Sequence, residues 1–242
     1  MNMLKKIYST AAALALGLAA GGAGAAQFDF YKLGRGAGLD FLPTNGVACT
    51  GGDLCSGNFP SLLAPDPGLT FAVGSLTATA TGSYVTGAPA ATVQDHESGW
   101  IDPRVGVGVP GTGAGLGVYH VNNDTSDDNI TFGETLTITF NQLVTLTGIG
   151  LANDGHQING WASNATFLFN GVETGLPAGA GITGLNLVGT VFTFAYGGRY
   201  ADQFYLASMT VTPVPEPEVY AMLGIGLGLM GWVGRRRKRH AA

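Results

Sequence analysis

Glu134-Thr135-Leu136-Thr137-Ile138-Thr139-Phe140 alternates apolar and hydroxyl side chains without a break. A period of two puts Leu136, Ile138 and Phe140 on one face of a strand and the threonines on the other. A helix would scatter the same residues around its circumference. Further strand candidates lie at 27–33 (Phe28 and Phe30 on one face), 69–73, 75–86, 100–109 (apolar but broken by glycines), 115–121, 143–152, 165–169, 191–196 and 203–212. Asn141-Gln142 predicts a hairpin between 134–140 and 143–152. Residues 41–68, rich in Pro, Gly, Asn and Asp, read as a long loop. No stretch between 27 and 214 carries a helical stripe, and no repeat of fixed period points to a solenoid or propeller. The expectation is an all-β fold, an antiparallel β-sandwich of the jelly-roll kind.

Both ends of the chain depart from this pattern. Lys5 and Lys6 precede an apolar run at 11–20, and small residues follow from Gly21 to Ala26. A charged start, a short apolar run and a small-residue region define a secretory signal peptide. Cleavage is expected between Ala25 and Gln27, so residues 1–26 are the signal. At the other end, Val214-Pro215-Glu216-Pro217-Glu218 precedes an uncharged run at 219–233, and then Arg235-Arg236-Arg237-Lys238-Arg239. Fifteen helical residues reach about 22 Å, short of a hydrocarbon core of about 30 Å. Tyr220 and Trp232 suit the interfaces, and the basic cluster can snorkel and hold its end cytoplasmic. A short C-terminal transmembrane helix is therefore expected within 215–242, leaving a β passenger at 27–214.

The Pro215-Glu216-Pro217 entry adds something more specific. Two prolines so spaced hold an extended, uncovered backbone, which is what a processing enzyme needs. The order of Pro215-Glu216-Pro217, a span with Gly224, Gly226, Gly228 and Gly231, and a basic tail from Arg235 to Arg239 resembles the PEP-CTERM sorting signal of Gram-negative bacteria. The resemblance covers 214–242. It implies export through the translocon, transient anchoring with the passenger in the periplasm, and processing by an exosortase, a membrane-embedded cysteine protease. It further implies a final location at the outer surface or outside the cell. Gly224 and Gly228 also form a small-xxx-small face on which another helix could pack.

Charge limits what the passenger can bind. Seven of the eleven basic residues lie in the two end segments, so residues 27–214 hold four bases against fourteen acids, a net charge of −10. That balance argues against nucleic acid and anionic lipid. It suits cations, and it suits acidic polymers only through a bridging cation. The two cysteines, Cys49 and Cys55, flank Gly51 and Gly52 in a chain bound for an oxidising compartment, and a disulfide is expected. A zinc pair or a redox pair is disfavoured, because no other Cys or nearby His joins them and the spacing is not Cys-x-x-Cys.

The densest polar run is 122–129, Asn-Asn-Asp-Thr-Ser-Asp-Asp-Asn, with Glu134 shortly after. Alternating oxygens in a curved loop can wrap calcium, with Asp124, Asp127 and Asp128 as the candidate ligands. The run does not follow the EF-hand pattern, and a solvated turn explains the same letters. Sequons at Asn123, Asn129 and Asn164 mark expected surface turns. Catalytic motifs are sparse. His96-Glu97 lacks a second histidine four residues on, and Gly106 to Gly111 matches G-x-G-x-x-G in letters without opening a helix. His96, His120 and His156 stand far apart. Two function classes remain. One is a non-enzymatic surface or matrix protein associating with exopolysaccharide in a biofilm. The other is a secreted glycan-modifying hydrolase on a jelly roll. Trp100, Trp161 and Tyr200 are the candidates for an aromatic binding platform, or else belong to the core.

Overall fold

The computed structural model describes residues 24–33, 40–46, 49–50, 54–55, 67–88, 90–95, 114–120, 128–156, 161–177, 179, 181–215, 222, 224–230 and 232. The chain divides into two units, Ala25–Pro213 and a second made of Met1–Gly24 with Val214–Ala242. The first unit is all-β. Its strands are β1 (Ala26–Phe28), β2 (Cys49–Thr50), β3 (Leu54–Cys55), β4 (Leu69–Val73), β5 (Leu76–Tyr84), β6 (Ala90–Asp95), β7 (Gly115–His120), β8 (Glu134–Asn153), β9 (Thr166–Phe169), β10 (Val172–Gly175), β11 (Gly181–Ala195) and β12 (Phe204–Pro213). All ladders between them are antiparallel, in the order β10-β9-β11-β8-β12-β7-β6-β3-β2, with β1 beside β12 and β4-β5 joined to β8.

β8 organises the sheet. Its first half pairs with β5 and its second half with β12, while β11 runs along both. The hairpin expected at Asn141-Gln142 is absent, and the chain continues straight through as one twenty-residue strand. Asn141 makes no turn of its own because its amide serves the turn between β4 and β5. Its Oδ1 accepts from the Thr77 amide at 3.0 Å and its Nδ2 donates to the Ser75 carbonyl at 3.1 Å. The irregularity in register falls on β8 here, where residues 140–143 stand opposite Thr190.

Leu136, Ile138 and Phe140 are buried as the alternation requires, and they join one core with Phe28, Phe30, Phe71, Phe167, Phe192, Phe194 and Phe204. Phe30 meets Phe71 of β4 at 5.0 Å between ring centroids, and Phe28 meets Phe140 at 5.6 Å. These edge-on contacts join segments that share no ladder, and such pairs add about 0.5–1.5 kcal/mol beyond burial. The loop expected over 41–68 contains the two short strands β2 and β3. The dipeptide Asn170-Gly171, with φ of 50° and 75°, makes the two-residue turn that joins β9 to β10. Only a primed turn matches the strand twist there.

In the second unit, residues 222, 224–230 and 232 are helical and their apolar side chains are exposed. No helix among the described residues is long and apolar enough to cross a membrane. The rest of the short span expected over 219–233 lies outside the described residues, as do residues 1–23 of the expected signal peptide.

Candidate functional site

One end of the sheet, where β6 and β8 finish and β7 and β12 begin, collects polar groups that a core would normally exclude. Tyr205 of β12 is almost fully buried, yet its hydroxyl donates to Asp128 Oδ1 at 2.5 Å. His156 Nε2 lies 3.4 Å from the same hydroxyl and 3.1 Å from Oδ2 of Asp95, the last residue of β6. Asn129, fully buried, donates through Nδ2 to Asp154 Oδ1 and Gln203 Oε1, both at 2.8 Å. Trp161 Nε1 donates to the Gln203 carbonyl at 3.1 Å. Burial first, and then the negative charges of Asp128, Asp95 and Asp154, push the Tyr205 phenol well above its ordinary range. The phenol is thus held in its neutral form, in which it donates to Asp128.

The backbone explains how Asp128 and Asn129 reach this interior. Val118 N donates to the Asn129 carbonyl at 3.1 Å, which lays the segment against β7. Gly117 makes the approach possible, since a Cβ there would stand 1.6 Å from the Asp128 carbonyl oxygen. His156 holds φ of 57°, an uncommon state for a residue with a side chain. This conformation follows the turn after β8, where His156 N donates to the Asn153 carbonyl.

The expected site residues fare differently. Of the calcium candidates, Asp128 is turned inward to Tyr205, and Asp124 and Asp127 lie outside the described residues. No group of three His, Cys, Asp or Glu that could hold a metal ion occurs among the described residues. The surface turn expected at Asn129 is corrected by its burial, whereas Asn164 is exposed. The sequence signal was ambiguous, since an Asp-Asn pair serves a solvated turn and a buried network equally. His96 and Trp100 lie outside the described residues, and so does Asn123. His120 is buried against the Tyr84 ring, 3.8 Å between centroids. Trp161 is packed against the core, and Tyr200 is exposed with the Arg199 guanidinium 5.3 Å from its ring. The two aromatics therefore form no common platform. Cys49 and Cys55 are direct register partners across β2 and β3; their side chains lie outside the described residues.

The tail begins where β12 ends. Pro213 is the last residue of the strand and Pro215 is exposed. Glu216, Pro217 and the basic cluster Arg235, Arg236, Arg237, Lys238 and Arg239 lie outside the described residues. Residues 213–238 match the PEP-CTERM protein-sorting motif. The chain therefore carries a PEP-CTERM sorting signal, which implies export to the cell envelope or surface and processing by an exosortase. No curated protein and no solved structure matches the chain.

Proposed function

We propose that the chain is a non-enzymatic protein of the outer surface or extracellular matrix, delivered by its sorting tail and associating there with exopolysaccharide. The observation that carries this reading is the sorting motif at 213–238, placed immediately after the last strand. Two further features support it. The passenger is a large β domain with a continuous core, and its polar end is occupied by mutual hydrogen bonds that fix Tyr205 as a neutral donor. A sandwich of the jelly-roll kind, its two halves facing across the phenylalanines, belongs to the same proposal, as does the Cys49–Cys55 disulfide. For the disulfide, residues directly opposed in an antiparallel pair have Cα atoms about 4.5–5.5 Å apart, inside the range a disulfide spans.

The test is to produce the full chain in an exosortase-containing bacterium and examine it by mass spectrometry. The expected mature protein starts near Ala26 or Gln27 and yields no peptide from the Arg-rich tail. Replacing Pro215, Glu216 and Pro217 together with alanine is expected to accumulate the uncleaved form. Unchanged processing would remove the motif from the account. Retention on the host's exopolysaccharide, measured by co-sedimentation, tests the matrix role. The second reading, a glycan hydrolase, draws on the Asp95–His156 pair. It predicts polysaccharide shortening by the exported protein that His156→Ala abolishes.

A further inference from the structure

Residues 196–203 carry the chain from β11 to β12, and their backbone is tied to β9 and β10 at four points. Thr166 N donates to the Tyr200 carbonyl at 2.8 Å, and Tyr200 N donates to Thr166 Oγ1 at 3.2 Å. Asp202 N donates to the Thr166 carbonyl at 3.2 Å, and Arg199 N to Glu173 Oε1 at 2.6 Å. Gly198, at φ of 107°, lets those partners come close, since a Cβ there would stand 2.4 Å from Thr166 Oγ1 and 2.9 Å from Glu173 Oε1. A connection anchored in this way presents its side chains from a fixed backbone, so little ordering is left for a ligand to impose.

The side chains at the tip are not used by the fold. Arg199 and Tyr200 are exposed, with the guanidinium 5.3 Å from the centre of the Tyr200 ring. Lys32 is paired with Asp29, whereas the Arg199 guanidinium has no ion pair among the described residues. An unpaired cation is unexpected in a passenger of net charge −10 with Glu173 at hand. Glu173 gives Oε1 to the Arg199 amide instead. Its Oε2 and the Tyr200 hydroxyl have no hydrogen-bond partner among the described residues. One exposed aromatic ring, one unpaired fork of donors and one free carboxylate oxygen therefore stand together on an anchored turn.

A sugar ring has the matching chemistry. Its flat face is made of C–H groups, and its rim carries hydroxyls that both donate and accept. The Tyr200 ring suits the face, while the phenol hydroxyl, the Arg199 donors and Glu173 Oε2 suit the rim. We propose that Arg199, Tyr200 and Glu173 form the contact through which the passenger holds an uncharged polysaccharide. This site rests on the matrix reading and narrows it to a class of polymer. Charge makes that choice. An acidic polymer is repelled by the passenger's net −10 and by Glu173 beside the guanidinium, whereas a neutral one meets no such barrier.

Affinity electrophoresis of the protein exported from cells that make the full chain tests it. The gels contain the host's exopolysaccharide, a neutral glucan, mannan or galactan, or a polyuronate. The unmodified protein is expected to be retarded by the host polymer and by at least one neutral polymer, and not by the polyuronate. Tyr200→Ala and Arg199→Ala are each expected to weaken that binding about tenfold. Val188→Lys, which alters an exposed residue of β11, is expected to leave it unchanged. Nitration of Tyr200 by tetranitromethane, read by mass spectrometry on the unmodified protein, is expected to slow when the retarding polymer is added, which needs no variant to fold. Retardation by the host polymer that survives both substitutions, or nitration that ignores the polymer, overturns the site and leaves the matrix reading standing. Retardation by the polyuronate and by no neutral polymer overturns the choice of an uncharged ligand. Retardation by a neutral polymer but not by the host's overturns the matrix reading alone, and no retardation in any gel overturns both.

Discussion

The polar end of the domain and the outer edge of β11 invert the usual partition of side chains in opposite senses. Around Tyr205, Asp95 and Asn129 are taken out of water, and Asp128, His156, Gln203 and Asp154, half-buried or exposed, are bonded into the same cluster. Along Leu187 to Val191, aliphatic side chains are left in water. Buried polar groups and exposed apolar ones are both more informative than their opposites. Here they teach different things. The polar end is closed, because each of its groups fixes another in place. The β11 edge is open, because from 181 to 192 its outer side meets no ladder partner among the described residues.

If the polar end is a closed, structural unit, damage to it should cost far more than damage to the edge. Tyr205→Ala removes a buried ring and the donor to Asp128, and a loss of about 3–5 kcal/mol is expected by urea denaturation. Tyr205→Phe keeps the ring and isolates the Asp128 carboxylate, for an expected loss of about 1.5–3 kcal/mol. The phenol also titrates. Its proton is held above the ordinary value of about 10 in the folded state. Below pH 10 both folded and unfolded states are protonated and stability is unaffected. Above it the unfolded chain loses the proton first, so stability falls as pH rises. That alkaline decline should be shallower in Tyr205→Phe, and an unchanged slope would show that the phenol is not enclosed as described.

Gly117→Ala should come next, at about 1–3 kcal/mol, because the added methyl meets the Asp128 backbone. Val188→Lys should change the stability of a single copy by no more than about 0.5 kcal/mol. A large loss from Val188→Lys would mean that the edge is not open. A silent Gly117→Ala would mean that Asp128 is not pinned against β7.

How far these regions could be read from sequence follows from the same contrast. The first half of β8 is buried on one face only, so its letters carry the alternation and the strand was legible. β4 and β5 were legible for the same reason, whereas β7 and the start of β12 are buried on both faces and were legible only as short apolar runs. β6 was not, since Thr92, Gln94 and Asp95 are buried together with Ala91 and Val93, and mixed letters on two buried faces write no period. Gln94 is there for its bonds to the Phe30 and Phe41 carbonyls. The first ten residues of β11 were invisible because none is fully buried and only Ile182 and Leu185 pack against the core, so no alternation is written. β10 left a signal in Asn170-Gly171, a two-residue turn after an apolar run. The polar end joins residues from Asp95 to Tyr205 by tertiary contact alone, and no local pattern announces it. The sorting tail, by contrast, is read as linear sequence and was legible in full.

The first strand and the last strand of the domain are neighbours, with Ala26, Gln27 and Phe28 paired to Val211, Thr210 and Met209. A chain made from its N-terminus holds β1 waiting until nearly everything else has followed. The ladder that β12 lends to β8 waits equally long. Contacts this distant in sequence are slow to form, so the domain can close only once the chain up to Pro213 is available, with the sorting motif next in line. The order of the strands thus places completion of the fold immediately before the sorting motif in the chain.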